Sequence, residues 1–164
     1  MGARVLTTAG SAEKCLACLN LGAERAVPYK EQDFVDVAKD FGGGLGVDVI
    51  LDMVGGDYVA RNLQALAPDG RLVNIAFLQG SKVEIDLMPV MLKRLTLTGS
   101  TLRARDPVFK AAIAQKLKTH VWPLLENSKI SAVVHATFPL SEADQAHRLM
   151  ESSTHIGKIV LVMG

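Results

Sequence analysis

The sequence predicts an α/β protein with a parallel sheet and flanking helices, on three observations. Short β-rich runs alternate with helical stretches from residue 4 to residue 125, as right-handed βαβ units require. The run at residues 47–53, VDVILDM, is apolar apart from Asp48 and Asp52, the pattern of a strand buried on both faces. Glycine-bearing turns follow the strand ends at Gly10, at Gly55-Gly56 and at Gly80.

The elements follow in order. Residues 4–8 form a β-rich run that stops at Gly10-Ser11, with Ser11 placed to cap the next helix. That helix spans residues 12–21, with Cys15, Leu16 and Leu19 on one face and Gly22 as its terminating glycine. Residues 26–29 make a short strand. Residues 33–41 make a second helix, with Phe34, Val37 and Phe41 facing inward and Gly42-Gly43-Gly44 closing it. After the strand at 47–53 come a helix at 58–66, a turn at Pro68-Asp69-Gly70 and a strand at 71–77. A short helix at 87–92 and a strand at 96–101 follow. One long helix is expected over 107–125, with Phe109, Ala112, Ile113, Leu117, Val121 and Leu124 as its stripe. The tail differs: a strand AVVHATFPL, a helix SEADQAHRLMES capped by Ser141, and a last strand GKIVLVM form a β-α-β unit.

The composition bounds the rest. The chain has 164 residues, 49% hydrophobic and 21% charged, which suits one cored domain with a small appendage. The net charge is +1 with no basic run, so nucleic acid is not an expected partner. No apolar stretch approaches about 18 residues, so no membrane span is expected. The N-terminus carries no basic-then-apolar leader pattern, which predicts the cytoplasm. Cys15 and Cys18 form a C-x-x-C inside a helix rather than at its start. A redox role requires the start, and a zinc site requires more ligands, so packing is the expected use. His120, His135, His147 and His155 are scattered, with no G-x-S-x-G nucleophile motif, and read as structural or surface residues.

Three strand ends offer chemistry. In dinucleotide-binding folds an acidic side chain at the second strand end takes the adenine ribose 2′-OH. The strand end Thr8-Ala9-Gly10-Ser11 has no acid and offers hydroxyls and, one helical turn on, Lys14. Such groups suit a 2′-phosphate and favour NADPH over NADH. Ser11 as a plain cap with a solvated Lys14 fits the residues as well. The second is DMVGG, residues 52–56, where two glycines permit close approach of a ligand, or merely a tight turn. The third is NIAFLQG, residues 74–80, whose Ala76-Phe77 backbone meets a cofactor ring or forms an ordinary loop. GGGLG at residues 42–46 fails the G-x-G-x-x-G pattern and precedes a strand, so it is a flexible loop. Arg103 and Arg105 in GSTLRARD have two uses open to them, a phosphate or ion pairs.

Taken together, GARVLTTAGSAEKCLACLNLGAERAVPYKEQDF, GVDVILDMVGGDYVARNLQALAPDGRLVNIAFLQGS, LTGSTLRARD and GKIVLVM resemble the zinc-independent quinone oxidoreductases of the medium-chain dehydrogenase/reductase superfamily. The resemblance covers essentially the whole chain. It implies a Rossmann-like NADP-binding domain over residues 1–130, and a tail over 131–164 that returns to the catalytic domain. It implies that Gly10, Ser11 and Lys14 hold the NADPH 2′-phosphate, with Tyr29 near the adenosine end. Asp52, Val54 and Gly55 would lie near the nicotinamide ribose. Ala76, Phe77, Thr101 and Leu102 would lie beside the nicotinamide, and Lys158 near the cofactor. The implied reaction is hydride transfer from NADPH to a quinone or enone, in a homodimer joined at the strand of residues 96–101. No metal ligand, general acid or general base is assigned.

Relative to that family, the N-terminal catalytic domain, the first strand and the glycine-rich loop are not in this sequence. The expectation is therefore the latter part of an oxidoreductase, with Met1 an internal methionine used as a start and with weak or no turnover alone. A non-catalytic nucleotide-binding or dimerisation module is the alternative, and a methyltransferase ranks last. Losing a central strand would leave the second and fourth strands with unpaired edges. Either they close up, or another chain supplies the pairing.

Overall fold

The computed structural model of the protein describes residues 2–163. Met1, expected to be an internal methionine, and Gly164, the end of the expected tail, lie outside the described residues. The chain divides into two compact units, Met1–Ala104 and Arg105–Gly164.

In the first unit β1 (Leu6–Ala9) and β2 (Arg25–Pro28) pair in parallel, from Leu6 opposite Arg25 to Ala9 opposite Pro28. A second parallel sheet has the order β3 (Val47–Asp52), β4 (Leu66–Asn74), β5 (Thr96–Gly99). Helices α1 (Ala12–Asn20), α2 (Phe34–Phe41), α3 (Tyr58–Ala65) and α4 (Met88–Leu92) occupy the connections. This is the parallel α/β class that the alternating pattern predicts.

The two sheets share a core without sharing a ladder. Val27, Phe34, Val35, Ala38 and Ala65 form one buried cluster, and Leu6 of β1 packs on it together with Val47 and Ile50 of β3. β1 and β3 nevertheless belong to different sheets, so they have not closed up against each other. A second cluster joins Val59 and Leu63 of α3 to Leu66 and Leu72 of β4 and to Leu95.

Local chemistry sets the helix ends. Ser11 Oγ accepts from the Lys14 N–H at 3.3 Å, the cap expected from the sequence. Gly22, at φ +102°, ends α1 in a Schellman arrangement: its N–H donates to Leu19 O at 3.0 Å, and Ala23 N–H donates to Cys18 O at 3.1 Å. Asp33 caps α2 by accepting from Val35 N–H at 2.9 Å, and Arg61 donates to the same oxygen at 2.9 Å. The Val35 hydrogen bond, then the one from Arg61, hold the Asp33 carboxyl below its ordinary range. Its stabilisation is thus present above the ordinary aspartate range and lost as pH falls through the lowered value. Asp33→Ala is expected to cost about 1 kcal/mol in urea unfolding at neutral pH, with the difference shrinking near about pH 3. A cost that is the same at both pH values would remove the carboxylate from the capping role.

Burial departs from the sequence expectation in three places. In α1 only Cys15 is buried, while Leu16 and Leu19 are exposed. In α2 the buried residues are Phe34, Val35 and Ala38; Val37 is half-buried and packs on the same cluster, while Phe41 is not part of it. The Phe41 ring instead lies under the Arg4 guanidinium, 4.2 Å from it. β3 is not buried on both faces: it is the outer strand of its sheet, and Val49 and Leu51 are 62% and 65% exposed.

The expected turn at Pro68-Asp69-Gly70 lies inside β4 as an irregularity. Leu66 pairs with Val47 and Arg71 with Val49, so the intervening residues loop out of register. Asp69 sits there at φ +61°, a conformation that aspartate tolerates, with its N–H on Lys93 O at 2.7 Å and its carboxylate on Arg94. β4 ends at Asn74, so Ile75–Phe77 form a loop rather than strand.

The second unit contains α5 (Pro107–His120), α6 (Trp122–Glu126), β6 (Val134–Pro139), α7 (Ala143–Glu151) and β7 (Lys158–Val162), with β6 and β7 parallel. The expected long helix is therefore two. Pro123 has no N–H to donate, and its ring obstructs the carbonyl four residues back, so α5 stops before it. On the expected stripe, Phe109 and Leu117 are exposed. Ser141 does not cap α7. It lies within a 3-10 turn, Leu140–Glu142, and Glu142 takes the cap position without a side-chain bond.

Candidate functional site

In open α/β sheets ligands bind beyond the carboxyl ends of the strands, where loops carry the variable chemistry. Every expected cofactor residue of the first unit lies there. Gly10, Ser11 and Lys14 follow β1, Tyr29 follows β2, and Asp52, Val54 and Gly55 lie at the end of β3. Ala76 and Phe77 follow β4, and Thr101 and Leu102 follow β5. Lys158 opens β7 in the second unit, its N–H on Val133 O at 2.8 Å.

At the β1 end, Ser11 Oγ uses a lone pair on the Lys14 N–H, which leaves its O–H as a donor toward a ligand. The Tyr29 hydroxyl stands over Gly10: a Cβ added there would lie 3.1 Å from it. Thus Tyr29 is brought to Gly10 at the strand end, with Ser11 and the Lys14 backbone in the turn that follows. Tyr29 also meets Tyr58 edge to face at 6.4 Å, and Tyr58 stacks on Phe34 at 5.6 Å with the Arg61 guanidinium over both rings. Tyr58 N–H in turn donates to Gly55 O at 3.1 Å. This chain of contacts ties the β1 end to the β3 end.

The loops after β3 and β4 are zipped together. Ile75 N–H donates to Asp52 O at 2.8 Å, Leu78 N–H to Met53 O at 3.1 Å, Gln79 N–H to Val54 O at 2.8 Å, and Gly56 N–H to Gly80 O at 2.9 Å. Gly55 is buried at φ +68°, with the Phe77 ring 2.7 Å from where a Cβ would stand. The close approach that the two glycines permit is thus used by Phe77 and the Gly80 carbonyl. Asp52 as a residue is 4% exposed, and its carboxylate accepts from Val54 and Gly55 N–H and from Asn74 Nδ2.

Sequence reasoning placed Asn74 in a motif but gave it no role, and it passed over Tyr58. The signal for Asn74 was available. Asp52 and Asn74 are polar residues closing two adjacent apolar strands, and they are register partners.

The remaining motifs resolve locally. Cys15 and Cys18 are free thiols, and burial pushes the Cys15 thiol up, away from the reactive thiolate a redox motif needs. Gly46, in the GGGLG loop, sits at φ +101°, and a Cβ added there would stand 2.3 Å from Ala65 O, so this glycine serves packing. Arg105 lies over the Phe109 ring at 5.0 Å.

Parallel strands with their loops gathered at the carboxyl ends define an open α/β domain. The zinc-binding dehydrogenase family profile matches residues 21–161, and the chain belongs to that family. It is 28% identical over 163 residues to quinone oxidoreductase-like protein 2 of Bos taurus, covering 97% of this chain and 45% of that protein. The quinone oxidoreductase of Thermus thermophilus, solved also in complex with NADPH, superposes with a TM-score of 0.81 at 33% identity, covering 98% of this chain and 50% of that one. An NAD-dependent alcohol dehydrogenase superposes with a TM-score of 0.83 at 31% identity, covering 99% and 45%. The chain spans about half the length of these relatives.

The family's name implies zinc. Among the described residues no group of three or more His, Cys, Asp or Glu side chains converges to hold a metal ion. The side chains of the described residues therefore do not fit a zinc site. No helix among the described residues is long and apolar enough to cross a membrane.

Proposed function

We propose that this chain is the NADPH-binding part of a quinone-oxidoreductase-type enzyme. In this reading the cofactor domain would cover residues 1–130, taking in α5 and α6 of the second unit, and residues 131–164 would be a tail that joins a catalytic domain. The observation that supports the reading is the β1 end: the Tyr29 hydroxyl stands over Gly10, and Ser11 Oγ caps the turn on the Lys14 N–H, where an NADH-binding strand would place a carboxylate. A hydroxyl, a phenol and an ammonium are the donors a 2′-phosphate recognises. The zipped loops at the β3 and β4 ends, with Val54, Gly55, Ala76 and Phe77, would carry the nicotinamide end, together with Thr101 and Leu102 after β5. Bound NADPH supplies a hydride to a quinone or enone acceptor. A homodimer along the open edge of β5 and a cytoplasmic setting belong to the same reading.

The deciding experiment titrates NADPH and NADH against the protein by nicotinamide fluorescence. Tighter binding of NADPH is expected, and Lys14→Ala should weaken NADPH about tenfold while leaving NADH nearly unchanged. Equal affinity for the two coenzymes, or loss of both together in Lys14→Ala, would remove the 2′-phosphate from this strand end. NADPH binding without quinone-dependent oxidation would identify a non-catalytic nucleotide-binding module instead.

A further inference from the structure

A carboxylate removed from water must be solvated by the protein itself. Asp52 as a residue is 4% exposed, and the hydrogen-bond partners of its carboxylate among the described residues are amides, none of them a cation. Its Oδ1 accepts from Val54 N–H at 2.7 Å and Gly55 N–H at 3.3 Å. Its Oδ2 accepts from the same Gly55 N–H at 3.3 Å and from Asn74 Nδ2 at 3.0 Å. A carboxylate has about four lone-pair sites, and three donors serve them, the Gly55 N–H shared between the two oxygens.

We infer that Asp52 is a positioning residue rather than a cofactor ligand: with Asn74 it clamps the loops after β3 and β4 in the form that presents Val54, Ala76 and Phe77. The role rests on the proposal that these loops receive the nicotinamide end of NADPH.

Asn74 is placed to act as the second half of the clamp. It is the register partner of Asp52 on one side and of Gly99 on the other, so it stands where three strands end together. Its backbone carbonyl accepts from Ser100 N–H at 3.0 Å while its side chain reaches Asp52. On the other side, the Asp52 carboxylate holds the Gly55 amide in the left-handed turn at φ +68° that brings Gly55 against Phe77. The four backbone hydrogen bonds between the loops begin at this point, the first on Asp52's own carbonyl.

The test exchanges the two side chains. In Asp52→Asn/Asn74→Asp the amide at 52 still offers a carbonyl oxygen to Val54 N–H, and its NH₂ donates to the carboxylate at 74. The clamp survives, whereas a direct contact from a carboxylate at 52 does not. Two readouts are taken on the full chain: amide hydrogen exchange at Val54, Gly55, Leu78 and Gln79, and NADPH affinity. Asp52→Ala is expected to speed exchange at these amides and to weaken NADPH, each about tenfold or more. Asn74→Leu, which removes one donor and is the milder change should Asp52→Ala fold poorly, should do the same to a smaller degree. The exchanged pair should bring both readouts to within about threefold of the unaltered protein.

Slow exchange regained with NADPH still as weak as in Asp52→Ala would overturn the inference, because the carboxylate at 52 would then touch the cofactor. Unchanged exchange in Asp52→Ala and Asn74→Leu would overturn it as well. If the unaltered protein binds no NADPH, the proposed function fails, and the exchange measurements alone decide whether Asp52 and Asn74 hold the loops.

Discussion

Leu72→Ala is expected to lower the unfolding free energy of the first unit by about 3 to 4 kcal/mol. Leu72 is fully buried in the middle of the cluster that joins β4 to α3, with Val59, Leu63, Leu66 and Leu95 around it. It also lies opposite Ile50 on β3 and Leu97 on β5, so it is the central side chain of its row. Truncation removes apolar surface that water never reaches and leaves a cavity that a parallel sheet, pinned by hydrogen bonds on both sides, cannot collapse to fill. A domain of this size holds only about 5 to 15 kcal/mol in total, so the loss should appear as a fall in Tm of roughly 10 °C or more. Leu97→Ala on the exposed outer strand is the comparison, expected to cost below about 1 kcal/mol. Similar losses from the two substitutions in urea unfolding would mean that the second cluster is not the stabilising core of its sheet.

The features legible in the sequence are those fixed by neighbours along the chain. Ser11 as a cap, Gly22 as a terminator and the short helix ahead of Lys93 depend on a few consecutive residues, and each is where the pattern puts it. Pro123 was equally local evidence, and the apolar stripe running past it concealed the break between α5 and α6. Burial was less legible because it depends on what lies across from a face. Val49 and Leu51 have the composition of a doubly covered strand, yet β3 is the outer strand of its sheet. The irregularity at Asp69 was hidden for the same reason, since it is defined by which residues of β3 the chain pairs with before and after it.

The candidate site divides along the same line. The strand-end residues were legible because glycines and a missing carboxylate mark them in the sequence. Their mutual arrangement was not. The Tyr29 hydroxyl reaches Gly10 only through the pairing of β2 with β1, and Tyr29 and Tyr58 meet only because α3 returns past the β2 end. Asp52 illustrates how the two combine. Its position at the end of an apolar strand was legible, whereas the Asn74 side chain as a partner of its carboxylate came only from the register of β3 with β4.

Gly55→Ala is expected to have the largest effect on the site, and Gly43→Ala separates its two causes. Both glycines have similar positive φ, +68° at Gly55 and +65° at Gly43, so an added methyl meets the same backbone penalty of about 1 to 2 kcal/mol at either position. They differ in what the methyl would meet. Nothing lies within 4 Å of a Cβ at Gly43, whereas at Gly55 the Gly80 carbonyl stands 2.6 Å away and Phe77 Cδ1 2.7 Å away. Crowding of that kind adds about 1 to 3 kcal/mol. The Gly80 carbonyl is held by the Gly56 N–H, so it cannot retreat without parting the two loops. Gly43→Ala should therefore cost only the backbone penalty and leave NADPH binding unchanged. Gly55→Ala should cost about 2 to 5 kcal/mol, displace Phe77 and weaken NADPH by more than about tenfold. Equal stability losses in the two variants would show that Phe77 does not occupy the space above Gly55. The expected stability loss at Gly55 with NADPH affinity intact would show that the cofactor does not use these loops.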